Sequence, residues 1–430
     1  MSDIAQLKDF SAQLERCARC SYCKFVPLPQ IKSQRFSPVC PSIQKYNFHA
    51  YSAGGRIALG LGLATDRISY TDTLLDVVYR CTLCGACDIS CKAIMGGMLE
   101  PLEILQALRL RCVEDAQVPP QHMAVIEGLR KEDNMLQRPK AERGKWAEAL
   151  KVKDLTEEKA EVAFHAGCRL SFDTELWPVV RGWVDILKRA GADVGIMGQE
   201  EVCCGARAYE IGYLGELEKY ASRNIKAFNK AGVKTVVTAC PECYYAFKVL
   251  YPKIGKAMNF EVLHMTQYLD PLIRDRKLEL TNRVPMTVTY HDPCHLGRLA
   301  EPYQPWEGIE KRVAGPLIIT EPEKPVRFGT KGIYREPRSV LKSIPGLNLV
   351  EMERTKEYAW CCGAGGGVID AYPDFARWAA AERIAEAKAT GAEALVTACP
   401  WCERNLKDAN REVGETIQIL DIAEVVSQAI

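Results

Sequence analysis

The sequence predicts an α/β protein (α+β overall): a helical N-terminal segment followed by two pseudo-symmetric α/β units. Three observations predict it. Two cysteine runs occupy the first hundred residues. A different cysteine layout occurs twice after residue 160. Through both copies of that layout, short β-branched runs alternate with amphipathic helical stretches.

Residues 1–16 carry Ile4, Leu7, Phe10 and Leu14 at helical spacing. Cys17-Ala-Arg-Cys20-Ser-Tyr-Cys23 follows, then a Pro-containing loop to Cys40-Pro41. Residues 42–79 mix apolar and small residues and are expected to be helical. Next come Cys81, Cys84, Cys87 and Cys91, then a helix from Pro101 to Val113, Pro being suited to a first helical turn. Residues 114–160 are polar, and Lys140–Lys159 has the most linker-like composition, so a boundary is placed near 158. The pattern then changes. Val162–Ala166 reads as a strand ending at Cys168, Trp177–Ala190 and Leu214–Ala231 as helices, and Lys234–Ala239 as a strand delivering Cys240. Pro241 opens a helix to about Leu250, and Glu261–Met265 is a further strand. The order restarts at Pro285: strand Met286–His291 to Cys294, helix Arg335–Ser343, strand Asn348–Met352, helix Phe375–Ala389, strand Ala394–Ala398 to Cys399, and a long helix opened by Pro400. The expected domains are 1–158, 159–284 and 285–430.

The repeat is visible by eye. Cys168, Cys203-Cys204-Gly205 and Cys240-Pro-Glu-Cys243 match Cys294, Cys361-Cys362-Gly363 and Cys399-Pro-Trp-Cys402. Two such units are expected to face each other across a pseudo-twofold axis.

Hydrophobic content of 47% and charged content of 26% are ordinary for a soluble globular chain of 430 residues. A net charge of +1 gives no reason to expect nucleic acid or an anionic membrane as partner. No apolar stretch approaches the roughly 20 residues of a membrane span, and the N-terminus has no secretion signal. A cytoplasmic location is expected, with membrane association only through a partner. In that compartment nineteen cysteines point to metal ligation rather than disulfides.

Cysteines at i, i+3 and i+6 with a remote fourth have the spacing of 4Fe–4S ferredoxins, in which each run lends its fourth cysteine to the other cluster. One cubane is therefore expected on Cys17, Cys20, Cys23 and Cys91, the other on Cys81, Cys84, Cys87 and Cys40. Zinc is the rival, but it takes four ligands, commonly as two Cys-x-x-Cys pairs, which the triple runs do not match. Five cysteines per repeat are equally awkward for zinc and suit a multi-iron cluster. A redox dithiol explains Cys240/Cys243 and Cys399/Cys402 but leaves the doublets idle. Cys112 is read as a small buried apolar residue. His295, beside Cys294, is read either as a proton donor to a developing thiolate or as a structural histidine, as are His165 and His291. Gly363-Ala-Gly365-Gly366-Gly367 lacks Walker or Rossmann spacing and is read as a close backbone approach to a cluster or substrate. With no nucleotide site, electrons are expected from a partner protein.

The doubled layout resembles the cysteine-rich CCG domains in the B-type subunit of heterodisulfide reductase, and the N-terminal segment is similar to the C-type subunit of the same enzyme. Their order on one chain resembles the D-type subunit, in which the two are fused. The resemblance implies two noncubane 4Fe–4S clusters: a proximal one on Cys168, Cys203, Cys204, Cys240 and Cys243, and another on Cys294, Cys361, Cys362, Cys399 and Cys402. It implies cleavage of a disulfide-type substrate between them, with Cys168, Cys294 and His295 at the reacting centre. It also implies a flavin-containing or membrane electron-transfer partner, such as a protein like the A-type subunit of that reductase. The alternative within the same broad family is an electron relay in flavin-dependent hydroxyacid or glycerol-3-phosphate oxidation, or in an anaerobic aromatic-degradation complex.

Overall fold

The computed structural model describes residues 4–255, 257–314 and 317–430. Short helices build the N-terminal part: Ser11–Arg16, Pro41–Tyr46, Ala53–Ala64, Asp72–Tyr79, Ala86–Met95 and Pro101–Glu114. Ser52 and Thr71 cap two of these starts, each side chain accepting a backbone N–H three residues on.

The stretch read as linker is built structure. It contains the helix Pro120–Glu132 and the strand β1, Lys153–Asp154, and it buries Arg143 and Trp146. β1 lies ahead of residue 158 and pairs with β3 (Val194–Ile196), itself beside β2 (Val162–His165). With β4 (Thr235–Thr238) and β5 (Glu261–His264) these strands form a parallel sheet in the order β1-β3-β2-β4-β5. The second sheet is also parallel. It contains β6 (Thr287–His291), β9 (Asn348–Val350), β10 (Ala394–Thr397) and β11 (Gln418–Asp421), in the order β9-β6-β10-β11. This repeats β3-β2-β4-β5 strand for strand. His165 pairs with Thr238 as His291 pairs with Thr397, so the repeat extends to register. The antiparallel hairpin β7 (Ile309–Ala314) and β8 (Leu317–Glu321) falls in the insertion between Cys294 and Cys361.

The two units meet as a twofold requires. Trp177–Arg189 of the first packs on Ile422–Ala429 of the second, and Met265–Arg274 of the first packs on Arg335–Lys342 of the second. One apolar core spans both sheets, including Val237, Met265, Val396 and Ile422. Chain direction therefore sends the carboxyl ends of β2, β4, β6 and β10, and the cysteines that follow them, toward a shared interior.

Candidate iron–sulfur centres

Each repeat positions its cysteines by the same local devices. Cys240 and Cys399 are N-caps of helices whose first residue is Pro241 or Pro400. Proline costs nothing there, because its missing N–H would have no helical partner. The first helix runs Pro241–Tyr245 and widens into a π-helical turn over Ala246–Leu250. The glycine of each Cys-Cys-Gly has positive φ, 78° at Gly205 and 94° at Gly363. It turns its N–H back onto the first sulfur of the doublet: Gly205 N–H donates to Cys203 Sγ (3.4 Å), and Gly363 N–H to Cys361 Sγ (3.3 Å). A Cβ on Gly363 would lie 2.4 Å from the Ala376 carbonyl oxygen. The Tyr251 hydroxyl (2.8 Å) and the Asn405 amide (2.6 Å) hold the carbonyls of Cys204 and Cys362.

The thiols assemble into two chains of contact. Cys168 meets Cys203, Cys203 meets Cys204, and Cys204 meets Cys243 beside Cys240. Likewise Cys294 meets Cys361, Cys361 meets Cys362, and Cys362 meets Cys402 beside Cys399. Cys362 Sγ lies 3.1 Å from Cys402 Sγ. Neighbouring thiols draw the second sulfur of each doublet down, Cys204 to about 7 and Cys362 to about 5. In the N-terminal part, the thiol of Cys91 feels those of Cys23, Cys17 and Cys20, and Cys40 feels Cys81 and Cys84; burial pushes Cys40 up to about 12. Cys40, Cys81, Cys84 and Cys87 line one cavity, walled by Leu83, Leu102 and Leu105. Cys112 lies apart from these sets, buried in an apolar cluster of the N-terminal helices.

These donor sets fit iron–sulfur clusters. All nineteen cysteines are free, although thiols crowd together in both repeats. A Cβ on Gly167 would strike Cys243 Sγ at 2.8 Å. Two imidazoles stand near the sulfurs. His165 has its Nδ1 3.4 Å from Glu201 Oε2 and makes no hydrogen bond at either ring nitrogen. His291 accepts from Arg383 at Nδ1 (3.1 Å) and leaves Nε2 free, with its ligand atom, Cys362 Sγ and Cys402 Sγ all within 4.8 Å of one another. The dithiol reading loses its ground, because neither Cys-x-x-Cys stands apart from its doublet.

Charge compensation comes from residues that sequence reasoning missed. Arg143 donates to Glu201 (2.8 Å) and to Cys168 Sγ (3.4 Å). Burial opposes its charge, but the Cys168 thiol and the Glu201 carboxylate outweigh that penalty and favour the charged guanidinium. Arg298 serves the second set in the same way. It donates to the Cys84 and Ala359 carbonyls, and the thiols of Cys84, Cys294 and Cys361 overcome its burial.

Between the sets lies a buried polar network. His295 Nδ1 is 3.6 Å from Cys294 Sγ, and its Nε2 is 2.5 Å from Glu210 Oε1 of the other repeat. Burial opposes charge on both. Each nevertheless shifts toward its charged form because of the other, His295 upward and Glu210 downward. Arg207 donates to Glu242 (2.9 Å) and Asp370 (2.7 Å). Arg169 and Arg207 lie over the Trp401 ring, at 4.0 and 4.5 Å from its centroid. Repeat-equivalent positions thus carry different residues: Arg169 against His295, and Glu242 against Trp401.

One expectation is reversed. The set nearest the N-terminal centres is the second, because Cys84 lies within hydrogen-bonding reach of Cys361. The glycine run explains this. Cβ atoms on Gly365 and Gly366 would sit 2.9 Å from the Thr82 oxygen and 2.7 Å from the Cys81 oxygen, so these glycines admit the N-terminal cysteine loop. Arg109 closes the seam, donating to the carbonyls of Gly366 (2.6 Å) and Cys81 (2.5 Å).

Geometry and sequence comparison agree on the class. A cysteine-rich domain model matches residues 162–248 and 326–407, and a 4Fe-4S dicluster domain model matches residues 13–94. The chain is an iron–sulfur oxidoreductase subunit. It belongs to the family of D-type subunits of heterodisulfide reductase. To the D-type subunit of the dihydromethanophenazine:CoB–CoM heterodisulfide reductase of Methanosarcina barkeri it is 30% identical over 427 residues, covering 97% of this chain and 94% of that one. It is also 25% identical to the EtfAB:quinone oxidoreductase of Syntrophomonas wolfei, over 99% of this chain but 60% of that protein. To the probable iron-sulfur-binding oxidoreductase FadF of Bacillus subtilis it is 27% identical, over 82% of this chain and 46% of that one. No helix among the described residues is long and apolar enough to cross a membrane.

Proposed function

We propose that the chain is the heterodisulfide-reductase-like part of a larger complex, accepting electrons from a flavin-containing or membrane partner and reductively cleaving a disulfide-type substrate. Two cubanes would be held by Cys17, Cys20, Cys23 and Cys91 and by Cys81, Cys84, Cys87 and Cys40. Two noncubane clusters would be held by Cys168, Cys203, Cys204, Cys240 and Cys243 and by Cys294, Cys361, Cys362, Cys399 and Cys402. When bound, these groups supply stepwise one-electron transfer and iron sites able to take sulfur. The balance is one disulfide, two electrons and two protons in, and two thiols out.

The protein's own part is positioning and charge. Arg143 and Arg298 offset thiolate charge at Cys168 and Cys294. His295 holds a proton between Glu210 and the Cys294 sulfur, and Glu210 fixes which ring nitrogen faces that sulfur. The Tyr245 ring packs against the imidazole, their centroids 5.3 Å apart. The observation that carries this reading is the assembly of ten thiols into two equivalent sets across a pseudo-twofold, with the His295–Glu210 pair spanning them. A plain wire has no need of such paired centres. The test is Cys168→Ser and Cys294→Ser in the reconstituted complex: each should abolish thiol production while the N-terminal cubane EPR signals remain. Turnover surviving either change sinks disulfide cleavage between paired centres. The relay reading draws support from Trp401, an aromatic ring inside the Cys399–Cys402 element on which Arg169 and Arg207 of the other repeat stack. Under it, both serine variants would slow electron throughput and no thiol would form from any disulfide.

A further inference from the structure

Residues 17–65 contain no aspartate or glutamate, although the whole chain holds 55. The same stretch carries Arg19, Lys24, Lys32, Arg35, Lys45 and Arg56. Arg56 is consumed inside, donating to the Val77 carbonyl and to Ser42, and Arg35 pairs with Glu382. Arg19, Lys24, Lys32 and Lys45 have no ion-pair partner among the described residues. Near-neutrality of the whole molecule thus conceals a cationic stretch of chain.

Arg19 and Lys24 of that stretch flank a sulfur. Cys20 is the one exposed cysteine among those described. Next to it in the chain, Tyr22 and Phe25 are 38% and 44% exposed, and Phe48 is 66% exposed. The loops converge: a Cβ on Gly54 would lie 3.5 Å from Cys17 Sγ and 3.6 Å from His49 Nε2, and His49 feels the charges of both Arg19 and Lys24. Arginine and aromatic side chains at the surface are the composition of protein interfaces, and cationic clefts steer anionic partners.

We infer that the surface formed by Arg19, Cys20, Tyr22, Lys24, Phe25 and Phe48 is the docking site for the acidic face of an electron-transfer protein. The inference rests on the reading that Cys17, Cys20, Cys23 and Cys91 hold a redox cluster. Each encounter oxidises the partner by one electron and reduces that centre by one, with no bond made or broken. A protein is favoured over a lipid surface because aromatic rings and cations ring an exposed sulfur, through which only a redox partner has anything to exchange.

The experiment uses the anaerobic holoprotein and a reduced, acidic plant-type 2Fe–2S ferredoxin as probe in stopped flow. The second-order rate should fall by at least about tenfold between about 0.02 and 0.5 M salt. The double variant Arg19→Glu/Lys24→Glu should lose at least about tenfold at low salt. Photoreduction by a neutral deazaflavin should proceed equally in both proteins. A rate indifferent to both salt and charge reversal overturns the docking site. Binding to phosphatidylglycerol vesicles that the variant loses, with ferredoxin rates unchanged, overturns it in favour of a membrane surface. Absence of any cubane signal after photoreduction of the wild type instead defeats the underlying cluster reading.

Discussion

Replacing Arg143 by glutamine tests whether the supposed linker belongs to the first centre. Its guanidinium is 1% exposed, its partner Glu201 is 5% exposed, and they meet at 2.8 Å. At an effective dielectric of 20 that separation corresponds to about 6 kcal/mol of attraction before desolvation. Breaking a buried pair by removing one partner typically costs about 3–5 kcal/mol. Glu201 also accepts the N–H groups of Ala166 (2.9 Å) and Gly167 (3.0 Å), so a displaced carboxylate loosens the turn that presents Cys168. Cluster loss makes unfolding irreversible, so the quantity to compare is the anaerobic unfolding rate at fixed urea, followed by tryptophan fluorescence. For an interaction absent from the transition state, Arg143→Gln should unfold about 10²–10⁴ times faster. Arg143→Gln/Glu201→Gln should recover part of that loss, because no charge is then left buried alone. A single variant as slow as wild type, or a double variant no better than the single, refutes the reasoning.

Gly366→Ala places a methyl against the Cys81 and Thr82 backbone at a φ of 61°, costing about 1–2 kcal/mol from backbone conformation alone; rapid-freeze EPR should then show the N-terminal centres reduced well before the C-terminal ones, and wild-type timing would exclude this contact as the electron route. His122, donating from Nε2 to the Gly367 carbonyl, is lowered from 6.5 to about 4, chiefly by burial. The unfolded chain takes up that proton below pH 6.5 and the folded chain only near 4, so this contribution is complete above pH 6.5 and is lost as pH falls toward 4, amounting to about 2 kcal/mol at pH 5; His122→Gln should shrink the ratio of anaerobic unfolding rates at fixed urea between pH 5 and pH 7 by up to about thirtyfold, and an unchanged ratio refutes the assignment.

The cysteine spacings and most of the strands were legible because their signals are local; β1 and β3 of the first sheet were not read. Spacing selects ligands that one loop can bring together, and β-branched runs ending at Cys168, Cys240, Cys294 and Cys399 read as strands wherever they occur. What was not legible is non-local. Arg143 sits in a polar stretch with no periodicity, and only the folded chain places it 3.4 Å from a thiol 25 residues away. Arg298 and the Arg207–Glu242–Asp370 group are likewise ordinary surface residues by composition. Arg298, Arg207 and Glu242 are buried because crowded thiols and carboxylates must be balanced inside. The order of the centres was misjudged because sequence order places the first repeat nearer the N-terminal cysteines. The glycine run was read as a close backbone approach to a cluster or substrate; at Gly365 and Gly366 what approaches is the backbone of Cys81 and Thr82. β11 and its helix Ile422–Ala429 went unread, although Asp421 and Glu424 form a capping box there, matched by His264 and Gln267 in the first repeat. The hairpin β7–β8 was missed as well, its only signal being the run Leu317-Ile-Ile-Thr320.

The central claim is that eighteen of nineteen cysteines serve four clusters and that Cys112 serves none. Anaerobic iron and acid-labile sulfide analysis of the fully loaded chain tests it most directly. About sixteen irons per chain, four for each centre, is the predicted result. About eight, with only the N-terminal cubanes accounted for, would contradict it.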